Sequence, residues 1–459
     1  MSWMGSEPKD KSVHVGTDLF KEIPFDPDGA AAALRLLPQC SAVFALYGAD
    51  AHAEPYIGRT PNLKARLAHL LQPSAKHPRR LQLASRVRRI LWRLTGSEFE
   101  SLLIQFDLLQ NQYGPKALDR MHLRMPAFVR YLGGNPYPRI TVTNRLSLRE
   151  ADWSYGPFPS RAAAERYAEE ALKLFLLRRC TDDLNPDPSH PGCVYSEMKM
   201  CLAPCYKGCT DERYAEEAMA VESFLATRGE GRLVMLRTER DEASGNLEFE
   251  QAAALHAQVQ KVEQVHALAS ELVRPLSQLR AVILQVAADA DNVAVFLFEN
   301  GRLRGPAAFS TLGMRIQNEQ SGSSSLFAQP LAVEPVPERQ GSMNRDQETA
   351  SANQVKADND QSSGGTDHST EGETGGPPKL ARGILEARME AALAELADCH
   401  DTPSSTVRQG HLALLKRWYY RPEAKRTGEI FFPVAEGNWP VKALLRGAGR
   451  VVAKMMTGT

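Results

Sequence analysis

The chain has 459 residues, with 55 Lys or Arg set against 55 Asp or Glu. A chain this long predicts two to four domains, each able to bury a core. Its zero net charge excludes a whole-chain pull towards nucleic acid, so any such attraction must come from local clustering.

The amino terminus, MSWMGSEPKDKSVHVG, has no apolar signal core, and no run approaches the roughly 18 apolar residues of a membrane span. The expectation is a cytoplasmic protein with no membrane partner. Residues 40–47, CSAVFALY, have the β-branched and aromatic content of a strand, and 62–71 and 99–112 read as helices, which predicts an α/β domain over 38–120. Within it, EPYIGRTPNLKARL (54–67) sets a tyrosine at the end of a strand, then a glycine turn, then Arg59 and Arg66, groups able to steady a phosphodiester. Residues 76–93, KHPRRLQLASRVRRILWR, hold seven Lys or Arg and no acid. Read as a helix, they place Arg86, Arg89 and Arg93 on one face at i, i+3 and i+7, with Val87 and Leu91 towards the core. Together with Arg79 and Arg80 this face is a candidate for contact with the backbone of double-stranded DNA.

A connecting and cysteine-rich region spans 121–210. RITVT (139–143) reads as a strand, and SYGPFPSRAAAERYAEEALKLFLLRRC as a turn feeding an amphipathic helix. Five of the seven cysteines follow between 180 and 209. Reduced cytosolic thiols do not form a disulfide framework, so this cluster points to a metal. Cys180, Cys193, Cys201 and Cys205 are spaced C-x12-C-x7-C-x3-C, with Cys209 four residues on; Pro191, Gly192, Pro204 and Gly208 supply turns between them. Four thiolates meet the ligand count of either a structural zinc or a cubane iron–sulfur cluster, and the spacing leaves both open.

Residues 211–272 read as two or three helices. In them Leu247, Phe249, Ala252 and Ala253 make a small apolar face that a short hairpin cannot bury alone, suited to docking on a similar hairpin of another protein. Residues 278–315 read as a β meander turned by ENGR. Residues 316–378, rich in Ser, Gly, Gln, Asn, Asp and Glu, read as a disordered linker. Residues 379–459 read as a helical, basic C-terminal module. There LKRWYYRPEAKR (415–426) interleaves aromatic and basic residues, either to stack bases or to anchor a small core.

Several of these segments, in order, resemble the UvrC family of bacterial nucleotide excision repair. YIGRTPNLKARL resembles the second half of a GIY-YIG nuclease motif, and NPYPRITVTNRLS with YGPFPS resembles the family's joining segment. LFLLRRC with PGCVYSEMKMCLAPC resembles its iron–sulfur region, and ASGNLEFEQAAALHAQVQKV resembles the UVR helical hairpin that meets UvrB. The resemblance runs over about 38–313. It implies an α+β multidomain protein: a GIY-YIG-like α/β domain, a cysteine-cluster region, a UVR hairpin, a small β meander, the linker and the C-terminal module. The family's ribonuclease-H-like and helix–hairpin–helix domains are not recognisable after 313. It implies a [4Fe–4S] cluster, with zinc the alternative, and a UvrB-like partner. The UVR hairpin's usual Arg-Asp pair falls on His256 and Ala257.

For the nuclease site, the resemblance implies tyrosines that orient water, an arginine that steadies the phosphate and a glutamate that holds Mg²⁺. Tyr56 matches the YIG tyrosine and Arg66 the arginine of the following helix, while Arg59 stands where the family usually has lysine. Phe44 falls at the GIY tyrosine and Gln105 at the metal glutamate. A neutral amide is a poor ligand for a hard cation. The same-face neighbours of Gln105 are Ser101, Leu102, Leu108 and Leu109, while Glu100 and Asp107 turn elsewhere. The expectation is an excision-repair protein with an impaired nuclease. A non-catalytic adaptor, and a zinc-stabilised nucleic-acid-binding protein outside excision repair, are the alternatives.

Overall fold

The structure is a computed structural model that describes residues 20–50, 53–72, 83–146, 151–312, 314, 379–398, 402–434 and 437–457. The expected linker (316–378) and two of the expected DNA-contact residues, Arg79 and Arg80, lie outside the described residues.

The N-terminal part contains β1 (Lys21–Pro24), α1 (Ala30–Arg35), β2 (Ala42–Gly48), β3 (Tyr56–Thr60), α2 (Leu63–Leu71), β4 (Val87–Leu94), α3 (Glu98–Tyr113) and α4 (Lys116–Arg120). Its antiparallel sheet has the order β1-β4-β2-β3, which leaves β3 at an edge. Alternation divides the strands between two faces. Phe44, Leu46, Ile90 and Trp92 pack with Leu63, Leu67 and Leu70 of α2, whereas Ile57 turns to the side of α3. Side-chain caps start both main helices: the Asn62 carboxamide oxygen accepts from Ala65 N at 2.9 Å and Ser97 Oγ from Glu100 N at 3.1 Å, each contributing about 1 kcal/mol.

The basic run is not a helix where it is described. Val87–Leu94 is the central strand β4, hydrogen-bonded to β1 and to β2. The side chains of residues 86, 89 and 93 therefore do not share a helical face. Arg86 and Arg89 are exposed, but Arg89 pairs with Glu22 at 3.3 Å and lies over the Tyr47 ring. Arg93 is only 9% exposed.

The middle part comprises β5 (Ala127–Tyr131), β6 (Ile140–Thr143), β7 (Ser154–Phe158), α5 (Arg161–Leu172), α6 (Val194–Glu197), α7 (Asp211–Ala226), α8 (Glu230–Gly245), α9 (Phe249–His266) and β8 (Arg274–Pro275). SYGPF, read as a turn, is the buried strand β7 in a sheet of order β6-β5-β7-β8. One core holds this part together, with Tyr155, Tyr167, Tyr214 and Phe224 among its buried residues.

The last sheet has the order β11-β10-β9-β12, from β9 (Ala281–Val286), β10 (Asn292–Glu299), β11 (Arg302–Ser310) and β12 (Glu429–Phe431). ENGR does turn its hairpin: Asn300 and Gly301 both have positive φ, +53° and +76°, as a primed turn demands. On one face Val282, Leu284, Val293 and Val295 pack against α10 (Lys379–Ala397) and α12 (Val441–Thr457). On the other, Ile283, Phe296 and Phe298 meet α3 and α11 (Ser405–Tyr419). The C-terminal residues thus complete the meander's sheet and cover it, rather than forming a module of their own. α3 is thus packed from two sides, burying Phe99, Leu102, Leu103, Ile104 and Phe106, while Glu98, Asn111 and Gln112 keep contact with water.

Candidate functional site

The four residues expected at a nuclease site are split across the edge strand β3. Tyr56 lies on the α2 face, where Arg66 Nη2 donates to its hydroxyl at 3.3 Å. Phe44 is fully buried beside it, ring centroids 6.1 Å apart. Gly58 sits opposite Phe44 in the register, and a Cβ at Gly58 would lie 2.9 Å from Phe44 Cζ. That glycine is fixed by close packing.

Arg59 turns to the other face and meets Glu98 at 3.4 Å. Further along, Tyr113 Oη donates to Pro55 O at 2.9 Å, so α3 runs antiparallel to β3. Gln105 stands seven residues after Glu98. That interval returns it to the same side of α3, about 10 Å along the axis. Gln105 is half-buried. The sheet edge therefore carries a Tyr56–Arg66 pair on one side and the Arg59–Glu98 pair on the other, with Gln105 about 10 Å further along that side of α3.

The nearby carboxylates are all engaged. Arg421, which follows α11, donates to Glu98 through Nη1 at 2.8 Å and Nη2 at 3.0 Å. That fork holds the Glu98 carboxyl below its ordinary range, with Arg59 adding to it. Glu54 pairs with Arg120 at 2.8 Å, whose guanidinium lies over the Tyr113 ring. Glu100 accepts from Gly96 N at 2.8 Å, and burial pushes its pKa up. Asp107 accepts from His411 Nε2 at 3.4 Å. The other ring nitrogen of His411 accepts from Leu303 N at 2.9 Å, so the ring carries its proton on Nε2. Sequence reasoning missed Arg421 and His411, because the contacts span 323 and 304 residues.

Cys180, Cys193, Cys201 and Cys205 line one small cavity with Arg178 and Arg179. The loops that bring them together are tied by Asp187 N to Cys205 O and Leu202 N to Leu176 O, both 2.9 Å. Arg178 is buried and directs Nη1 to Cys180 Sγ at 3.5 Å. Burial raises the Cys201 and Cys205 thiols, and the neighbouring sulfurs raise them further. Cys209 stands apart from that lining: after burial, its thiol responds to Asp211 and Arg213. The donor chemistry of the four suits a thiolate-held centre. Among the described residues, no three His, Cys, Asp or Glu are grouped so as to hold a single metal ion.

The α8–α9 hairpin leaves Leu247 71% and Phe249 65% exposed at its tip, with Ala252 half-buried and Ala253 exposed. Among the described residues, no helix is long and apolar enough to cross a membrane.

The profile of the family described as "UvrC/Cho excinuclease, middle domain" matches residues 128–224, from β5 to α7. Among curated proteins, UvrABC system protein C of Carboxydothermus hydrogenoformans is 29% identical over 286 residues, 61% of this chain and 46% of that protein. The same protein of Ruminiclostridium cellulolyticum is 29% identical over 300 residues, 63% of this chain and 47% of its own length. That of Alcanivorax borkumensis is 29% identical over 210 residues, 46% of this chain and 34% of its own length. The chain thus spans between about a third and a half of the length of these relatives. No solved structure matches it. From the middle-domain match and these relatives, the chain is a UvrC-like protein.

Proposed function

We propose that the chain serves DNA repair in the manner of UvrC, binding double-stranded DNA and a UvrB-type partner, with a GIY-YIG-like site impaired in phosphodiester hydrolysis. One observation carries the impairment. Gln105, which the resemblance aligns with the metal glutamate, is neutral, and Glu98, the acid on the same side of α3, is already held by Arg59 and Arg421. Phosphodiester cleavage with a divalent ion needs an anionic oxygen to hold the cation and charge neutralisation at the phosphate. Arg66, beside Tyr56, and Arg59, on the other side of β3 and paired with Glu98, are the cations available for the second. An amide at 105 does not supply the first.

The other parts of the reading rest on exposure and donor chemistry. The apolar tip at Leu247 and Phe249 favours docking of the hairpin on a UvrB-type partner. Cys180, Cys193, Cys201 and Cys205 would hold a [4Fe–4S] cluster, with zinc the alternative; such a centre supplies a rigid clasp on loops that have little regular structure of their own. Mg²⁺ belongs to the site only in an active form.

The test is incision of a lesion-bearing duplex in the presence of UvrA, UvrB, ATP and Mg²⁺, with wild type, Gln105→Glu and Arg66→Ala. Silence from wild type and cleavage by Gln105→Glu are expected. Wild-type cleavage abolished by Arg66→Ala would overturn the impairment. Silence from all three, with complex formation intact, would favour a non-catalytic adaptor, the reading that the engagement of Glu98 also supports.

A further inference from the structure

Residues 402–459 carry ten Lys or Arg and three Glu, an excess of seven cations in a chain whose total charge is zero. Residues 437–459 hold four of the cations and no acid. All four lie on α12, at Lys442, Arg446, Arg450 and Lys454, and all four are exposed. The interval of four repeats without interruption, so the cations form one ridge along the helix. Over the twelve residues from 442 to 454 this ridge is about 18 Å long, at 1.5 Å per residue.

The opposite side of α12 is already committed. Leu444, Leu445, Ala448, Val451 and Val452 are buried against β9 and β10 and their sheet. Gly447 lets the helix approach closely: a Cβ there would lie 2.4 Å from Phe431 Cζ. An amphipathic helix that binds lipid needs its apolar face free, and this one is not. What α12 presents to solvent is therefore a fixed row of cations on a sheet-backed support. Arg450 is held by Glu429 in a bidentate pair, through Nε at 2.8 Å and Nη2 at 2.5 Å, and Arg446 Nε donates to Lys442 O at 3.3 Å, which keeps its side chain along the helix.

We infer that the exposed face of α12 is a phosphate-contact surface for double-stranded DNA, separate from the β3 edge. The inference rests on the DNA-binding part of the proposed function. A ridge of about 18 Å along the helix axis, inclined to it as i, i+4 rows are, spans about five phosphates of one strand, at 3.4 Å of duplex axis each. Contacts of this kind position a duplex without reading its sequence. Upstream, Trp418 is buried and Tyr419 and Tyr420 are half-buried against the same core, which favours backbone contact over base stacking.

The test is duplex binding by the full chain, followed by fluorescence anisotropy between 50 and 200 mM salt. Wild type is compared with Lys442→Gln/Arg446→Gln and with Lys116→Gln/Lys173→Gln, which removes two exposed cations elsewhere. Each lost phosphate contact makes the slope of log affinity against log salt shallower by about 0.9. The α12 variant should bind more weakly on every sequence, with a slope shallower by about two, and the control should match wild type. Equal losses in both variants would overturn the inference, since the effect would then be general. An α12 variant indistinguishable from wild type would overturn it while leaving DNA binding intact. A wild type that binds no duplex would overturn it together with the DNA-binding reading. The substituted side chains are exposed, so unchanged thermal unfolding of the variants accompanies a valid result.

Discussion

Phe44 and Gln105 are single-residue departures with unequal consequences. The Phe44 ring is fully buried against Tyr56, so Phe44→Tyr places a hydroxyl in the core. Without a partner that group costs about 1–3 kcal/mol. Phe44→Tyr alone should lower the unfolding midpoint and leave the incision assay silent, whereas Gln105→Glu changes a half-buried position. Glu98 and Glu100, two residues apart, respond oppositely to pH. The Glu98 pKa is lowered, chiefly by the hydrogen bond from Arg421. Its contribution is therefore present above the unfolded carboxylate pKa and is lost as pH falls through the lower folded value. With 40% of its side chain exposed, the pair contributes less than about 1 kcal/mol. The stability difference between wild type and Arg421→Ala should be constant above about pH 5 and shrink below it. The Glu100 pKa is raised, first by burial, so its contribution is complete below the unfolded pKa and declines as pH rises through the folded one. Glu100→Gln should remove that decline, seen as a flatter urea-unfolding profile between about pH 4 and pH 7.

Among the elements, β4 and α11 show where local pattern stops being informative. Arginines at 86, 89 and 93 fit a helical face, yet Ile90 and Trp92 also alternate with Arg89, Leu91 and Arg93. Pairing on both edges settles the matter in favour of the strand, a tertiary decision that intrinsic preference does not carry. The α2, α3 and meander segments were legible because caps, apolar spacing and the Asn-Gly turn act within a few residues. For α11 the informative feature is Gly410, which reads as a weak point in a helix. In the fold it is the contact with α3: a Cβ at 410 would lie 2.0 Å from Phe106 Cζ and 2.4 Å from Cε2. Phe106 is fully buried and has little room to withdraw. Gly410→Ala should destabilise the protein by about 1–3 kcal/mol or more, through overpacking that outweighs the gain in helix propensity. The midpoint of urea unfolding checks this; an increase in stability would mean that α11 is not seated on α3.

At the scale of the whole molecule, four buried clusters emerge, and they do not follow the boundaries that composition suggests. The middle part, from Ala127 to Val273, closes its own core. A second cluster joins the N-terminal part to the C-terminal residues: Phe99 and Phe106 of α3, Phe296 and Phe298 of β10, and Leu412, Leu415 and Trp418 of α11 share it. The composition shift after residue 315 suggested a separate C-terminal module, but the contacts joining it to the N-terminal half span more than 260 residues. Tyr420 Oη donating to Pro157 O at 2.8 Å is one of these, and no pattern within a window of sequence encodes such a pairing. Trp418 tests the continuity. Its ring lies 5.4 Å from that of Phe99, and its Nε1 donates to Thr427 O at 2.9 Å. Trp418→Ala should cost about 3–5 kcal/mol. Because α3 and α11 share a core, the loss should appear in hydrogen exchange as faster exchange in α3 as well as in β9, β10 and α11. α7, whose buried residues belong to the other core, should keep its protection. An α3 that stays protected while α11 opens would mean that the C-terminal residues do fold as a unit of their own. The engagement of Glu98 by Arg421 would then be a surface contact that the nuclease-like site can shed.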